Sequence, residues 1–61
     1  MPYVLKYREP GNRSGTKRCA KRKVESVREA VEWMNQNKNE AFTPASVETN
    51  AWKPEVVAIL Q

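Results

Sequence analysis

The chain has 61 residues, 11 Lys and Arg against 7 Glu, and a net charge of +4. A chain this short makes one small domain, burying only about 60% of the surface its unfolded form exposes. There is no room for a separate cofactor-binding unit, so a self-contained cofactor enzyme is close to excluded and a binding module is expected.

Residue types narrow the chemistry further. There is no His, which removes the usual general base and the commonest zinc ligand. Cys19 is alone, so neither an internal disulfide nor a structural zinc site is expected. All seven acids are Glu, at 9, 25, 29, 32, 40, 48 and 55, and they form no cation-binding cluster. The expectation is a protein that is not an enzyme, with no metal and no cofactor. Residues 1–6 have no long apolar stretch, and the longest apolar run, Val56 to Leu60, is too short to cross a membrane. A reduced, cytoplasmic protein is therefore expected.

The charge is lopsided. Residues 1–23 hold eight bases and one acid, a net charge of +7, and residues 24–61 hold three bases and six acids, a net charge of −3. A domain with one strongly basic end attracts a polyanion or an acidic protein surface to that end.

Tyr3, Leu5 and Tyr7 alternate with Val4, Lys6 and Arg8, which predicts a strand over 3–8. Glu9-Pro10-Gly11-Asn12 has the type II turn pattern, with Pro presetting the second position and Gly supplying positive φ at the third. Gly15 closes the same loop. A second strand, Thr16 to Val24, has a thin apolar face and reads as an edge strand protected by its lysines.

Ser26-Val27-Arg28-Glu29 has the spacing of a capping box. Val27, Ala30, Val31 and Met34 then fall on one face of a helix expected over about 27–37. Ala45 and Val47 alternate with Ser46 and Glu48, favouring a third strand near 45–50 over a short helix with Pro44 at its first position. Residues 55–60 suit a strand or a short helix equally well, with Val57, Ile59 and Leu60 expected in the core. The fold class is α+β, a small ββαβ domain. One helix packs on one face of an antiparallel sheet, the other face is open, and Leu5, Tyr7, Val47 and Ile59 join the helix stripe in the core.

Three groups of residues are candidates for function. The first is the basic run Lys17-Arg18-Cys19-Ala20-Lys21-Arg22-Lys23, with Arg8 and Arg13. On a strand, Lys17, Lys21 and Lys23 share one face and Arg18 and Arg22 the other. These seven bases suit phosphate contacts; the competing reading is a solvated edge strand kept monomeric by its charge. The second is the pair Trp33 and Trp52, candidate anchors of a protein interface or caps on the edge of a small core. The third is Cys19, read as a small apolar filler. Gly11 to Lys17 has a P-loop flavour but the wrong spacing, and a strand follows it, so nucleotide hydrolysis is rejected.

Tyr3-Val4-Leu5-Lys6-Tyr7-Arg8-Glu9-Pro10-Gly11, then Lys17 to Lys23, then Ser26 to Trp33, resembles the arm-type DNA-binding domain of phage integrases. Residues 35–61 have no counterpart in that pattern. The resemblance implies a sheet lying in the major groove, with Arg8, Arg13, Lys17, Lys21 and Lys23 at the DNA. The overall plan also looks like that of very small phage proteins that disable host machinery, anti-CRISPR proteins among them.

Two functions follow as expectations. One is a DNA- or RNA-binding accessory protein, of phage or mobile-element type, that contacts phosphates through its basic hairpin. The alternative is an inhibitor or adaptor that docks on one host protein through Trp33 or Trp52. A homodimer that buries the open sheet face is compatible with both.

Overall fold

The period-two pattern of the first residues is realised as strand β1, Tyr3–Pro10, in a computed structural model that describes residues 2–61. β1 pairs antiparallel with β2, Lys17–Val24, without a break from Tyr3↔Val24 to Pro10↔Lys17. Helix α1, Val27–Gln36, follows, then β3, Phe42–Thr49, and β4, Val56–Leu60. The four strands form one antiparallel sheet in the order β2-β1-β3-β4. The ambiguous last segment is thus a strand, and the plan is ββαββ. β2 and β3 both run antiparallel to β1, so α1 links two parallel strands by crossing over the one between them.

The hairpin turn lies later than its sequence suggests. Pro10 is the last residue of β1, and Gly11 does not have positive φ. Gly15 does, at 80°, in a turn closed by the Thr16 N–H on the Arg13 carbonyl at 3.1 Å. The Thr16 hydroxyl also donates to that carbonyl, at 2.6 Å. The Gly11 N–H donates to the Thr16 carbonyl at 2.8 Å, closing the loop at its base.

The helix begins at the expected Ser26 cap, with the return bond of the capping box made one residue earlier, to Glu25 and not to Ser26 itself. The Ser26 hydroxyl accepts from the Glu29 N–H at 3.1 Å, and the Glu29 carboxylate accepts from the Glu25 N–H at 2.6 Å. At the far end Asn37 donates its backbone N–H and its side-chain amide to the Trp33 carbonyl, stopping the helix at Gln36.

The core lies between α1 and one sheet face. Leu5, Val24, Ala30, Met34, Ala41, Ala45 and Val47 are buried, with Tyr3, Tyr7, Val27, Trp33, Ala58 and Leu60 packed around them. Two expected core residues lie elsewhere. Ile59 is 65% exposed, because Ala58 and Leu60, opposite Val47 and Ala45, take the inward positions of β4. Val57 falls in a register shift between Glu48↔Val56 and Val47↔Ala58 and is 46% exposed. Val31 sits at the margin of the helix's buried stripe, which is turned toward Trp33.

Pro44 lies in β3, where no helix forms. Between Lys6↔Ser46 and Arg8↔Phe42 the register shifts, and the pairing with β4 starts only at Ala45. Pro44 therefore occupies an irregular stretch, where a missing N–H disturbs no regular ladder.

Candidate nucleic-acid interface

Strand alternation divides the basic residues between two environments. Opposite partners in an antiparallel pair share a face. Leu5 and Tyr7 point toward α1, so their partners Arg22 and Ala20 do too, as do Glu9 and Arg18. Lys6 and Arg8 are on the uncovered face with their partners Lys21 and Cys19, and Lys17 and Lys23 follow by the same alternation.

The two arginines on the helix side have partners. Arg18 Nε is 2.7 Å from Glu9 Oε1. The Arg22 guanidinium lies 4.9 Å from the centroid of the Trp33 ring, which in turn lies 4.9 Å from Tyr7 at an angle of 51°. Arg22, Trp33 and Tyr7 thus form one stack at the edge of the core. Trp33 is half-buried within it and is no free anchor.

The open face is different. It brings together Lys6, Arg8, Lys17, Lys21 and Lys23, and among the described strand residues its one acid is Glu48. Lys6 stands directly opposite Lys21, a like-charge pair that costs stability. Glu48 offsets part of this, its carboxylate 2.8 Å from Lys6 Nζ. Lys17 Nζ sits 5.0 Å from the centroid of the Phe42 ring. Arg13 is exposed at the hairpin tip. Of the seven expected phosphate contacts, the fold gathers Arg8, Lys17, Lys21 and Lys23 on one face, adds Arg13 at its end, and turns Arg18 and Arg22 away.

Lys6 and Glu48 belong to this site and were not singled out from the sequence. Lys6 was readable there, since it shares a face with Arg8 by period two. Glu48 was not, because its position depends on which strand pairs with β1. Cys19 also differs from expectation. It is exposed on the open face beside Arg8, while its neighbour Ala20 takes the inward position.

The rest of the open face, Ser46 apart, is largely apolar. Val56 and Ile59 are 57% and 65% exposed and, with Pro44, border a shallow depression whose other side is Lys6, Arg8 and Lys21. Tyr3, Tyr7 and Trp33 are all packed against the core, so none of them offers the open face a stacking platform. Trp52 stands apart, 95% exposed in the loop joining β3 to β4. That loop is pinned at its base by two 2.9 Å bonds, Thr49 N–H to the Glu55 carbonyl and Glu55 N–H to the Thr49 hydroxyl.

Among the described residues no group of three or more His, Cys, Asp or Glu side chains is placed to hold a metal ion. No described helix is long and apolar enough to cross a membrane. No family model, no curated protein and no solved structure matches the chain.

Proposed function

We propose that this protein binds nucleic acid, duplex DNA in particular, through the open face of its sheet. It would act as a small accessory protein, of phage or mobile-element type, in the cytoplasm of a bacterial host. The observation that carries this reading is the gathering of Lys6, Arg8, Lys17, Lys21 and Lys23 on one uncovered face, with Lys6 set against Lys21 at a cost in stability. A row of cations along two neighbouring strands suits a phosphate backbone, whose charges follow one another along a line. The core packing of Tyr3, Tyr7 and Trp33 withholds those rings from unpaired bases, and Trp52, the exposed ring, lies off the sheet in the β3–β4 loop, so the basic face itself suits a duplex. A two-stranded ribbon such as β1–β2 fits the major groove. The resemblance of residues 3–34 to integrase arm-type domains points the same way.

The deciding experiment is fluorescence anisotropy with a labelled duplex and a single strand of equal length, at about 50 and 200 mM salt. Four or five phosphate contacts make binding fall roughly 150- to 500-fold over that range. The duplex is expected to bind more tightly. No binding to either at the lower salt overturns the reading.

A second reading rests on Trp52. A ring 95% exposed on a pinned loop is suited to anchoring one host protein, and the basic face would then meet an acidic surface of that protein. Stoichiometric recovery of one protein, lost in Trp52→Ala and kept after nuclease treatment, would select this reading.

A further inference from the structure

The two edges of the sheet are unlike. β2 carries five bases in the seven residues from Lys17 to Lys23. β4, the opposite edge, is Val56-Val57-Ala58-Ile59-Leu60, with neither charge nor proline. Among the described residues no strand lies beyond it, so alternate N–H and C=O groups of its backbone point outward. Edge strands that stay single are usually blunted by charge, proline or irregularity. β2 has the first of these along its whole length. β4 has only the irregularity at Val57, which leaves the backbone from Ala58 onward regular.

We propose that β4 pairs antiparallel with β4 of a second copy, joining two sheets into one of eight strands across a two-fold axis. Charge decides which surface a second copy can use. The chain has a net charge of +4, and its positive charge is concentrated in β1 and β2. Stacking two open faces would bury Lys6, Lys21 and Lys23 of both copies in one interface. Pairing through β4 instead places the two β2 strands at the far ends of the joint sheet, the greatest separation this topology allows. The strand is also self-complementary, as a two-fold contact requires. A pair centred on Ile59 sets Ile59 beside its copy on the open face. On the helix face it sets Ala58 opposite Leu60, so the two cores meet across the axis. This inference does not depend on the nucleic-acid reading.

The test is sedimentation equilibrium on nuclease-treated protein, from micromolar to millimolar, with amide exchange at the two extremes. The mass is expected to rise from 7.0 kDa toward twice that value. At the upper end the outward-pointing amides within residues 57–60 are expected to become protected. Ile59→Lys and Val57→Lys change exposed side chains, so both should keep the helical circular dichroism and remain monomeric. Lys21→Glu should still dimerise. A monomer at every concentration overturns the proposal. So does a dimer that survives both lysine variants, or one whose β4 amides exchange as fast as in the monomer. Loss of the dimer in Lys21→Glu alone would place the contact on the open face and overturn it equally.

Discussion

Lys6 and Glu48 form a 2.8 Å ion pair between β1 and β3, and it is the point at which the basic face is partly neutralised. Glu48 is the better shielded partner, its side chain 13% exposed against 45% for Lys6. On the nucleic-acid reading this carboxylate repels phosphate and occupies one of five cations. Glu48→Gln is therefore expected to tighten duplex binding several-fold at low salt and to steepen the salt dependence by about one phosphate contact. The same variant should lose about 1 kcal/mol or less of stability, since Lys6 is left facing Lys21 without relief. Anisotropy and urea titration on one sample read both effects. Weaker binding would mean that Glu48 holds Lys6 in place for its ligand.

The two faces of β2 provide a sharper contrast. Lys21→Gln with Lys23→Gln removes two open-face cations and is expected to abolish measurable duplex binding at about 200 mM salt, where the electrostatic term is already weak. Arg18→Gln with Arg22→Gln removes as many cations from the helix face of the same strand. Those cations are held by Glu9 and Trp33, so binding should fall less than about threefold, through loss of long-range attraction alone. Equal losses in the two pairs would mean that only net charge matters and that no face is favoured.

These contrasts show which parts of the molecule were legible in the sequence. The division of lysines from arginines on β2 needed only the two-residue period of a strand. The helix start at Ser26 and Glu29 needed only the geometry of four orphan N–H groups. The irregular stretches were not legible, because they depend on neighbours distant in the chain. Val57 and Ile59 look like core residues on apolarity alone. They are exposed because the register shift beside Glu48 and the inward placement of Ala58 and Leu60 are set by pairing with β3. Pro44 also suits a helix start, which keeps a short helix as the rival to the third strand, and its place opposite a shift in β1–β3 pairing could not be anticipated locally. The same limit hid the Lys6–Glu48 pair, which spans 42 positions of sequence.

The two tryptophans should separate cleanly by stability. Trp33 packs on the core between Tyr7 and Arg22. Trp33→Ala is expected to cost about 3 kcal/mol, most of what one core of this size supplies. The variant should lie near its unfolding midpoint at room temperature and lose its helical signal at low urea. Trp52→Ala removes a ring with almost no buried surface and should change stability by less than about 0.5 kcal/mol. Fluorescence gives an independent check. Trp52→Phe leaves Trp33 as the emitter and should shift the spectrum to the blue, and unfolding in urea should remove that shift. A red-shifted Trp52→Phe spectrum in native conditions would mean that the Trp33–Tyr7 contact does not persist in solution.

The hairpin loop holds two glycines whose replacement fails for different reasons. Gly15 has a φ of 80° and open space where a Cβ would be. Gly15→Ala therefore meets only backbone strain, about 1 kcal/mol for an L-residue in the left-handed region. A Cβ on Gly11 would instead run into the Thr16 hydroxyl, with Thr16 Cβ at 3.2 Å and its carbonyl carbon at 3.3 Å. Relief requires moving Thr16, which already bonds the Gly11 N–H and the Arg13 carbonyl. A double-mutant cycle with Thr16→Ala distinguishes the two mechanisms. Removing the hydroxyl should shrink the penalty of Gly11→Ala, with a coupling of about 0.5 kcal/mol or more. The penalty of Gly15→Ala should be unchanged in that background, because no side chain causes it. Urea denaturation of the three single and two double variants, with the parent chain, measures both couplings. A coupling at Gly15 equal to that at Gly11 would show that the loop responds as one unit, with the contact at Gly11 no longer separable from the turn.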